Sequence, residues 1–334
     1  MIASEISNNI FLRRLGSFII DNFVWVLVVL VSIVAGIINP VFYSANNFYN
    51  LLMNSVLLGI LVLAESIVLL TGNFDLSLEV ILTFTAIIAG WLTMDHRYAS
   101  GWQIPAIWGI VVMLAVGGGI GAINGFLVGY LKMQPFVTTF AVSVVFTGVA
   151  IFMTGGSVMS PFPESFTILG RGMVGKLPLA GLFLIGLYII FHVILRFTHF
   201  GRKLFVIGGN IEAAKALGID VRRTILFTFM LAGLVAATGG WIHGGRINMA
   251  ASHMSTNQLF LAFGAAVMGG VRLGGGQARI SGMFGGVILL ASINTLMNLS
   301  KIDLYIIQAT TGFIILLAML IDALKSGEFL TARN

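Results

Sequence analysis

Residues 51–94 read LLMNSVLLGILVLAESIVLLTGNFDLSLEVILTFTAIIAGWLTM, and this stretch decides the fold class. Its two apolar runs, 51–72 and 75–94, each match the roughly 20 residues a helix needs to cross the hydrocarbon core of a bilayer. Only a short polar segment separates them, so the chain turns back at once and re-enters the membrane. A membrane strand would instead alternate apolar and polar residues over about ten positions. No such alternation is present, and a β-barrel is excluded.

Reading outward with breaks at Gly, Pro, Asn and charge yields ten candidate helices: 18–38, 51–72, 75–94, 104–131, 135–155, 177–197, 224–242, 258–271, 280–298 and 303–323. The 334 residues are 58% hydrophobic and 9% charged, whereas a soluble domain carries roughly a quarter charged residues. Ten spans use roughly 200 to 230 residues at the bilayer-crossing length, which leaves no room for a second soluble domain. Residues 1–334 are therefore read as one all-α transmembrane domain. No short apolar segment followed by a small-residue cleavage site precedes the first run, which reads as a retained span. Cys is absent, so disulfides, thiolate metal sites and Cys nucleophiles are excluded.

The net charge of +6 does not form the stripe a nucleic-acid surface requires. Its residues fall instead at helix ends. With the N-terminus inside, only Arg97, Arg171, Lys176, Arg246 and Lys301 of the 18 Lys and Arg lie outside, and the other 13, including Arg13, Arg14, Lys325 and Arg333, lie inside. Basic loops are retained on the cytoplasmic side, so ten spans with both termini inside are expected. Ten divides into five plus five, which admits an inverted repeat of the kind known in transporters. In the fourth helix Gly117, Gly121, Gly125 and Gly129 recur every four residues and line one face, where two backbones can approach closely. Gly282 and Gly286 repeat the device in the ninth helix.

No phosphate-binding Gly-Lys-Ser/Thr loop and no His and Glu at metalloprotease spacing occur, and the five His are scattered. Neither an active site nor a metal site is visible. Polar chemistry concentrates at Thr71 to Glu79. Asp75 suits the start of the third helix, where a carboxylate accepts bonds from unpaired amides and opposes the positive helix end; a cap and a solute contact are both open readings. Glu79 lies one turn on, and Glu65 sits about midway along the second helix. A lipid-facing carboxylate costs several kcal/mol, so acids at this depth face protein or an aqueous path. Glu65, Asp75 and Glu79 are accordingly candidate path residues.

The inner loop 198–223 contains Gly208-Gly209-Asn210, then Ile211-Glu212-Ala213-Ala214-Lys215-Ala216-Leu217, then Gly218. Asn210 serves as N-cap, Glu212 and Lys215 complement the two ends of the dipole, and Gly218 takes the left-handed position after the last turn. A short helix capped at both ends and outside the bilayer suits docking into a groove of another protein.

Together these motifs resemble the permease subunits of ATP-binding-cassette sugar importers of the ribose, xylose and galactose group. Their Thr-Gly-Gly-Ile-Asp-Leu-Ser-Val-Gly segment is matched, with changes, by Thr71 to Glu79. Their Gly-Ala-x-Asn-Gly and Pro-Phe-x-x-Thr patterns are matched by Gly121 to Gly125 and by Pro135 to Thr139, and their coupling-loop pattern by Gly208 to Ile219. A paired-glycine run at Gly269, Gly270, Gly274 and Gly275 follows, with Asn294, Gln308 and Gly312 also in place. The resemblance covers nearly the whole chain. It implies a multi-pass permease of the bacterial inner membrane that pairs with itself or a related permease. Such a permease receives solute from an external solute-binding protein and is driven by a separate cytoplasmic ATPase. ATP and Mg would sit on that partner, with no cofactor and no catalytic residue on this chain. Asn210 to Gly218 would be the coupling helix, and Asn73, Ser77 and Asn294 would join the three acids along the path. Asn73, Phe74 and Glu79 replace Gly, Ile and Gly of the pattern, and Glu65 adds an acid where the group is uncharged. Carboxylates accept sugar hydroxyls but equally welcome an amine or a cation. Two other readings therefore stand beside an ATP-driven monosaccharide importer: an ion-coupled secondary transporter using Glu65, Asp75 and Glu79, and a non-transporting half of a heterodimeric permease.

Overall fold

A computed structural model describes residues 22–326. Arg13, Arg14, Arg333 and the start of the 18–38 run lie outside the described residues. Each of the ten apolar runs falls on a helix: α1 (Phe23–Ile38), α2 (Ala45–Leu69), α3 (Leu78–Thr93), α4 (Ala106–Gly129), α5 (Pro135–Thr154), α7 (Leu179–Phe197), α10 (Val221–Ile247), α11 (Gln258–Met268), α12 (Ile280–Leu299) and α13 (Leu304–Ser326). Six of them, α2, α4, α5, α7, α10 and α12, are long and apolar enough to cross a membrane. The apolar parts of α1, α3, α11 and α13 are shorter, between 10 and 17 residues. α11 has 11 residues, about 16 Å at 1.5 Å per residue, and it ends where Gly270 turns to φ +82°, a left-handed conformation that glycine adopts without steric cost.

Four elements were not expected from hydropathy because they are short: a 3-10 turn (Pro40–Tyr43), α6 (Glu164–Arg171), a two-stranded antiparallel hairpin of β1 (Met173–Val174) and β2 (Leu177–Pro178), and α8 (His199–Gly209). α8 runs directly into α9 (Ile211–Ala216), the break falling at Asn210.

α2 is the centre of the bundle. From Ser55 to Leu69 every residue is buried, the signature of a helix surrounded by other helices. α10 packs along α4 through the glycine stripe. A methyl group on Gly125 would lie 2.6 Å from the Leu226 Cα, and one on Gly129 2.9 Å from the Arg222 carbonyl. At Gly121 the obstacle is the Phe229 carbonyl, and Gly233 of α10 is closed in the same way by the Gly117 carbonyl. Backbones at this separation gain van der Waals contact along their whole length, the means by which helices associate in lipid. Gly282 and Gly286 of α12 meet the Gly269 and Ala265 carbonyls at the end of α11 likewise.

The connections gather at the two ends of α2. Near Leu70, the carbonyl of that residue accepts the Gly276 amide at 3.0 Å, and Gly208 closes against both groups. The turn after α2, the α8–α9 junction and the glycine loop after α11 thus interlock. Near Met53, Arg246 donates to the Met53 carbonyl at 2.8 Å, Arg171 donates to the Arg246 carbonyl at 3.0 Å, and Met159 pairs with Ala250. These loops form the other end, some 16 residues or about 24 Å of helix away.

Candidate functional site

Where α2 passes into α3 the chain folds into a closed polar knot. Leu69 ends α2 and Leu78 starts α3. Between them the Thr71 hydroxyl donates to the Val68 carbonyl at 2.7 Å, and the Asn73 amide donates to the Thr71 hydroxyl at 2.8 Å. One Asp75 oxygen, Oδ1, accepts from the Ser77 amide at 2.9 Å and the Ser77 hydroxyl at 2.6 Å. Asn124 of α4 donates to the Ser77 hydroxyl at 2.7 Å and to Asp75 Oδ1 at 3.4 Å. Leu76 donates its amide to Thr139 of α5 at 2.9 Å. The cap position itself belongs to Ser77, whose side chain makes no cap bond; Asp75 supplies the acceptor from two residues upstream. Glu65 lies beneath the knot, its carboxyl facing the Asp75 backbone amide. Glu65, Asn73, Asp75 and Ser77 are all buried, with 2%, 8%, 0% and 1% of their surface exposed.

Glu79 points elsewhere. Its two oxygens accept the backbone amides of Asn257 at 3.1 Å and Leu259 at 3.0 Å, so a residue of α3 closes the first turn of α11. Asn257 stands at φ +68° and makes no side-chain cap bond of its own, which leaves those amides to Glu79. A carboxylate there both satisfies orphan donors and opposes the positive end of the helix. Ser255, just upstream, donates to the Glu79 carbonyl at 3.2 Å and bonds the Thr83 hydroxyl.

Beside this junction is a cavity of about 240 Å³ between α2, α10, α11 and α12. Its polar lining comprises Asn54, His243, Arg246, Gln258, Asn294, Thr295 and Asn298, and its apolar lining Leu57, Leu58, Leu261 and Ala291. At ~30 Å³ per molecule the space equals about eight waters. It is smaller than the 300 Å³ or more of sites for drug-sized ligands and so suits a small solute. Arg246 is held by the Met53 carbonyl and by Asn54 Oδ1, the latter at 3.1 Å. His243 contacts the Met254 carbonyl through Nε2 at 3.1 Å. A carbonyl only accepts, so Nε2 carries the proton and Nδ1 is an acceptor, buried and without a partner. Asn294 accepts from Thr311 at 3.2 Å, and Asn298 donates to the Asn294 carbonyl at 2.8 Å. Amides and a guanidinium, with no carboxylate in the lining, form a surface for hydroxyl groups rather than for an amine or a cation.

Of the residues expected along a path, the structure places Asn294 in this cavity. Glu79 sits at the first turn of the helix that carries Gln258, and Glu65, Asn73, Asp75 and Ser77 sit together in the knot outside it. Sequence reading missed Asn54, His243, Arg246, Gln258 and Asn298. Two signals were present: Asn294 and Asn298 stand one turn apart on one face, and α10 continues to Ile247, five residues beyond the expected 242, which brings His243 and Arg246 onto its last turns.

At the interlocked end, Asn210 Oδ1 accepts the Glu212 and Ala213 amides at 2.9 and 3.0 Å, and Lys215 pairs with Glu212 at 2.6 Å. Gly218 follows at φ +74°. Ala214 is buried against the protein, whereas Ile211 and Leu217 stand 44% and 72% exposed, an apolar face turned outward from a six-residue helix.

Residues 47–324 match the family described as branched-chain amino acid transport system / permease component. The chain is 32% identical to the ribose import permease protein RbsC of Bacillus subtilis, over 94% of each chain. It is 30% identical to RbsC of Escherichia coli K12, over 90% of this chain and 92% of that one. The galactose/methyl galactoside import permease protein MglC of Haemophilus influenzae is 30% identical over 90% of this chain and 93% of that one. No solved structure matches significantly. Apolar helices of spanning length, a polar-lined cavity between helices and a match over most of the chain agree: this protein belongs to that family of membrane permease components.

Proposed function

We propose that this permease forms the path for a monosaccharide in an ATP-driven importer. The observation that carries the reading is the cavity of about 240 Å³ lined by Asn54, His243, Arg246, Gln258, Asn294 and Asn298. Relatives named for ribose and galactose import support a sugar as the solute. Asn294 contacts the solute directly, Glu79 places Gln258 by holding the start of α11, and Glu65, Asn73, Asp75 and Ser77 shape the inner turn.

The energy comes from a separate cytoplasmic ATPase that docks on α9, from Asn210 to Gly218. The two-ended cap keeps that helix rigid, and the Gly208 contact with Leu70 and Gly276 carries its displacement into the core. An external solute-binding protein delivers the sugar, and a second permease subunit completes the path. Ten spans with both termini inside suit the gathering of the 70–77, 198–223 and 272–279 segments at one end and of the loops around Arg171 and Arg246 at the other.

Uptake of labelled ribose and galactose into proteoliposomes containing the ATPase and the binding protein tests the reading. Asn294→Leu removes one neutral hydrogen-bonding group and leaves its partner unpaired, so uptake should fall about 10- to 100-fold, from the ~1–3 kcal/mol such a loss costs. Unchanged uptake removes the cavity from the path. Accumulation driven by an ion gradient without the ATPase would favour a secondary transporter instead.

A further inference from the structure

We propose that residues 250–257 form a re-entrant strap dipping about halfway through the membrane, and that its exposed side, His253, Thr256 and Asn257, lines a water-filled stretch of the solute path. α11 is too short to cross a bilayer by itself, and the strap supplies the missing half. Ala250 pairs with Met159 at the end of the bundle that carries Arg246, and a methyl group on Gly90 of α3 would lie 3.6 Å from the Ala250 Cβ. Ser255 bonds the Thr83 hydroxyl and the Glu79 carbonyl, and the Asn257 amide reaches the Glu79 carboxylate. The contacts thus move along α3 from Gly90 to Glu79, about 16 Å at 1.5 Å per residue. α11 continues for about as far again, and Gly269 at its end meets Gly282 at the start of α12. Strap and helix together make one crossing of the ~30 Å hydrocarbon core.

The strap is held on two sides. His243 of α10 contacts the Met254 carbonyl at 3.1 Å, and α3 holds Ser255. Ala251 and Ser255 are buried there. The remaining side is open, and His253, Thr256 and Asn257 are exposed on it. The strap is not helical: its amides bond in separate turns, Met254 to Ala251 and Thr256 to His253. Irregular backbone at membrane depth stands only where protein buries it or water reaches it. An exposed side that carries three polar side chains therefore faces water. The middle of α7 shows the opposite pattern, where the exposed residues are Ile185, Ile189 and Val193, as contact with lipid requires. Gln258 follows the strap directly and lines the cavity, so the strap leads to it. The inference rests on the membrane permease fold and not on the identity of the solute.

The chain contains no Cys, so a single one can be introduced as a probe: His253→Cys, Thr256→Cys and, as a lipid-facing reference, Ile189→Cys. Each full-length variant, in native membrane vesicles opened to both faces, is treated with a charged methanethiosulfonate reagent that does not enter lipid. Only the thiolate reacts, and a thiol in apolar surroundings resists ionisation. His253→Cys and Thr256→Cys should react about 100-fold faster than Ile189→Cys, because apolar burial suppresses an ionised form by that factor or more. Rates equal to that of Ile189→Cys overturn the proposal and leave the strap dry, against lipid or a second copy. Should the strap variants fail to assemble, hydroxyl-radical footprinting of the wild type decides: oxidation of His253 supports the path, and its protection overturns it. Labelling of the strap together with unchanged uptake by Asn294→Leu would remove the cavity from the path and keep the strap in it.

Discussion

Glu79→Ala removes the only side-chain acceptor that reaches the first turn of α11 among the described residues. The two amides it holds are not bonded within α11, and Asn257 offers no substitute. Capping bonds of this kind are worth about 0.5–2 kcal/mol, and a negative charge at a helix start adds ~0.3–1 kcal/mol. Glu79 is half-buried, so water recovers part of the loss, and a net cost of about 2 kcal/mol follows from those ranges. That corresponds to roughly 30-fold in an opening equilibrium. Hydrogen exchange of the full chain in nanodiscs reads it directly: the amides of Asn257 and Leu259 should exchange about 30-fold faster, while those of α4 stay protected. Glu79→Gln keeps one acceptor and should lie about halfway, near 1 kcal/mol on the capping scale. Because α11 carries Gln258 into the cavity, Glu79→Ala should also raise the sugar concentration needed for half-maximal uptake. Exchange at Asn257 and Leu259 unchanged from wild type would refute the capping argument outright.

Gly125→Leu drives a side chain into the Leu226 backbone and should abolish the monodisperse peak in detergent size-exclusion chromatography, whereas Gly119→Leu, which faces open space, should leave it intact. Asn210→Ala forfeits two cap bonds, about 1 kcal/mol; ATP-driven uptake should drop severalfold at normal membrane abundance, and Asn210→Asp should restore it. Gly208→Ala sets a methyl group against the Leu70 carbonyl and the Gly276 amide, while Gly209→Ala meets nothing. The first should lower the ratio of sugar moved to ATP hydrolysed, and the second should not; equal ratios would disconnect this contact from coupling.

A chain of membrane-spanning helices with a short helix capped at both ends was legible because each signal is local. Hydropathy sums over about 20 neighbours, and a cap needs only the next few residues, as Asn210, Glu212 and Gly218 show. The glycine stripe named a face for close packing, yet only folding supplied its partner, the backbone of α10 from Arg222 to Gly233. Acids in an apolar run signalled an interior role without saying which. Glu79 and Asp75 look alike in sequence, but one closes a helix start 178 residues away and the other anchors a buried knot. The cavity was the least legible element. Asn54, His243, Gln258 and Asn298 come from four helices, and no stretch of about 20 residues, the length over which hydropathy is read, contains more than two of them. Burial of a polar group is favourable only where distant donors and acceptors meet it. That meeting depends on how helices cross in space, which local composition does not encode.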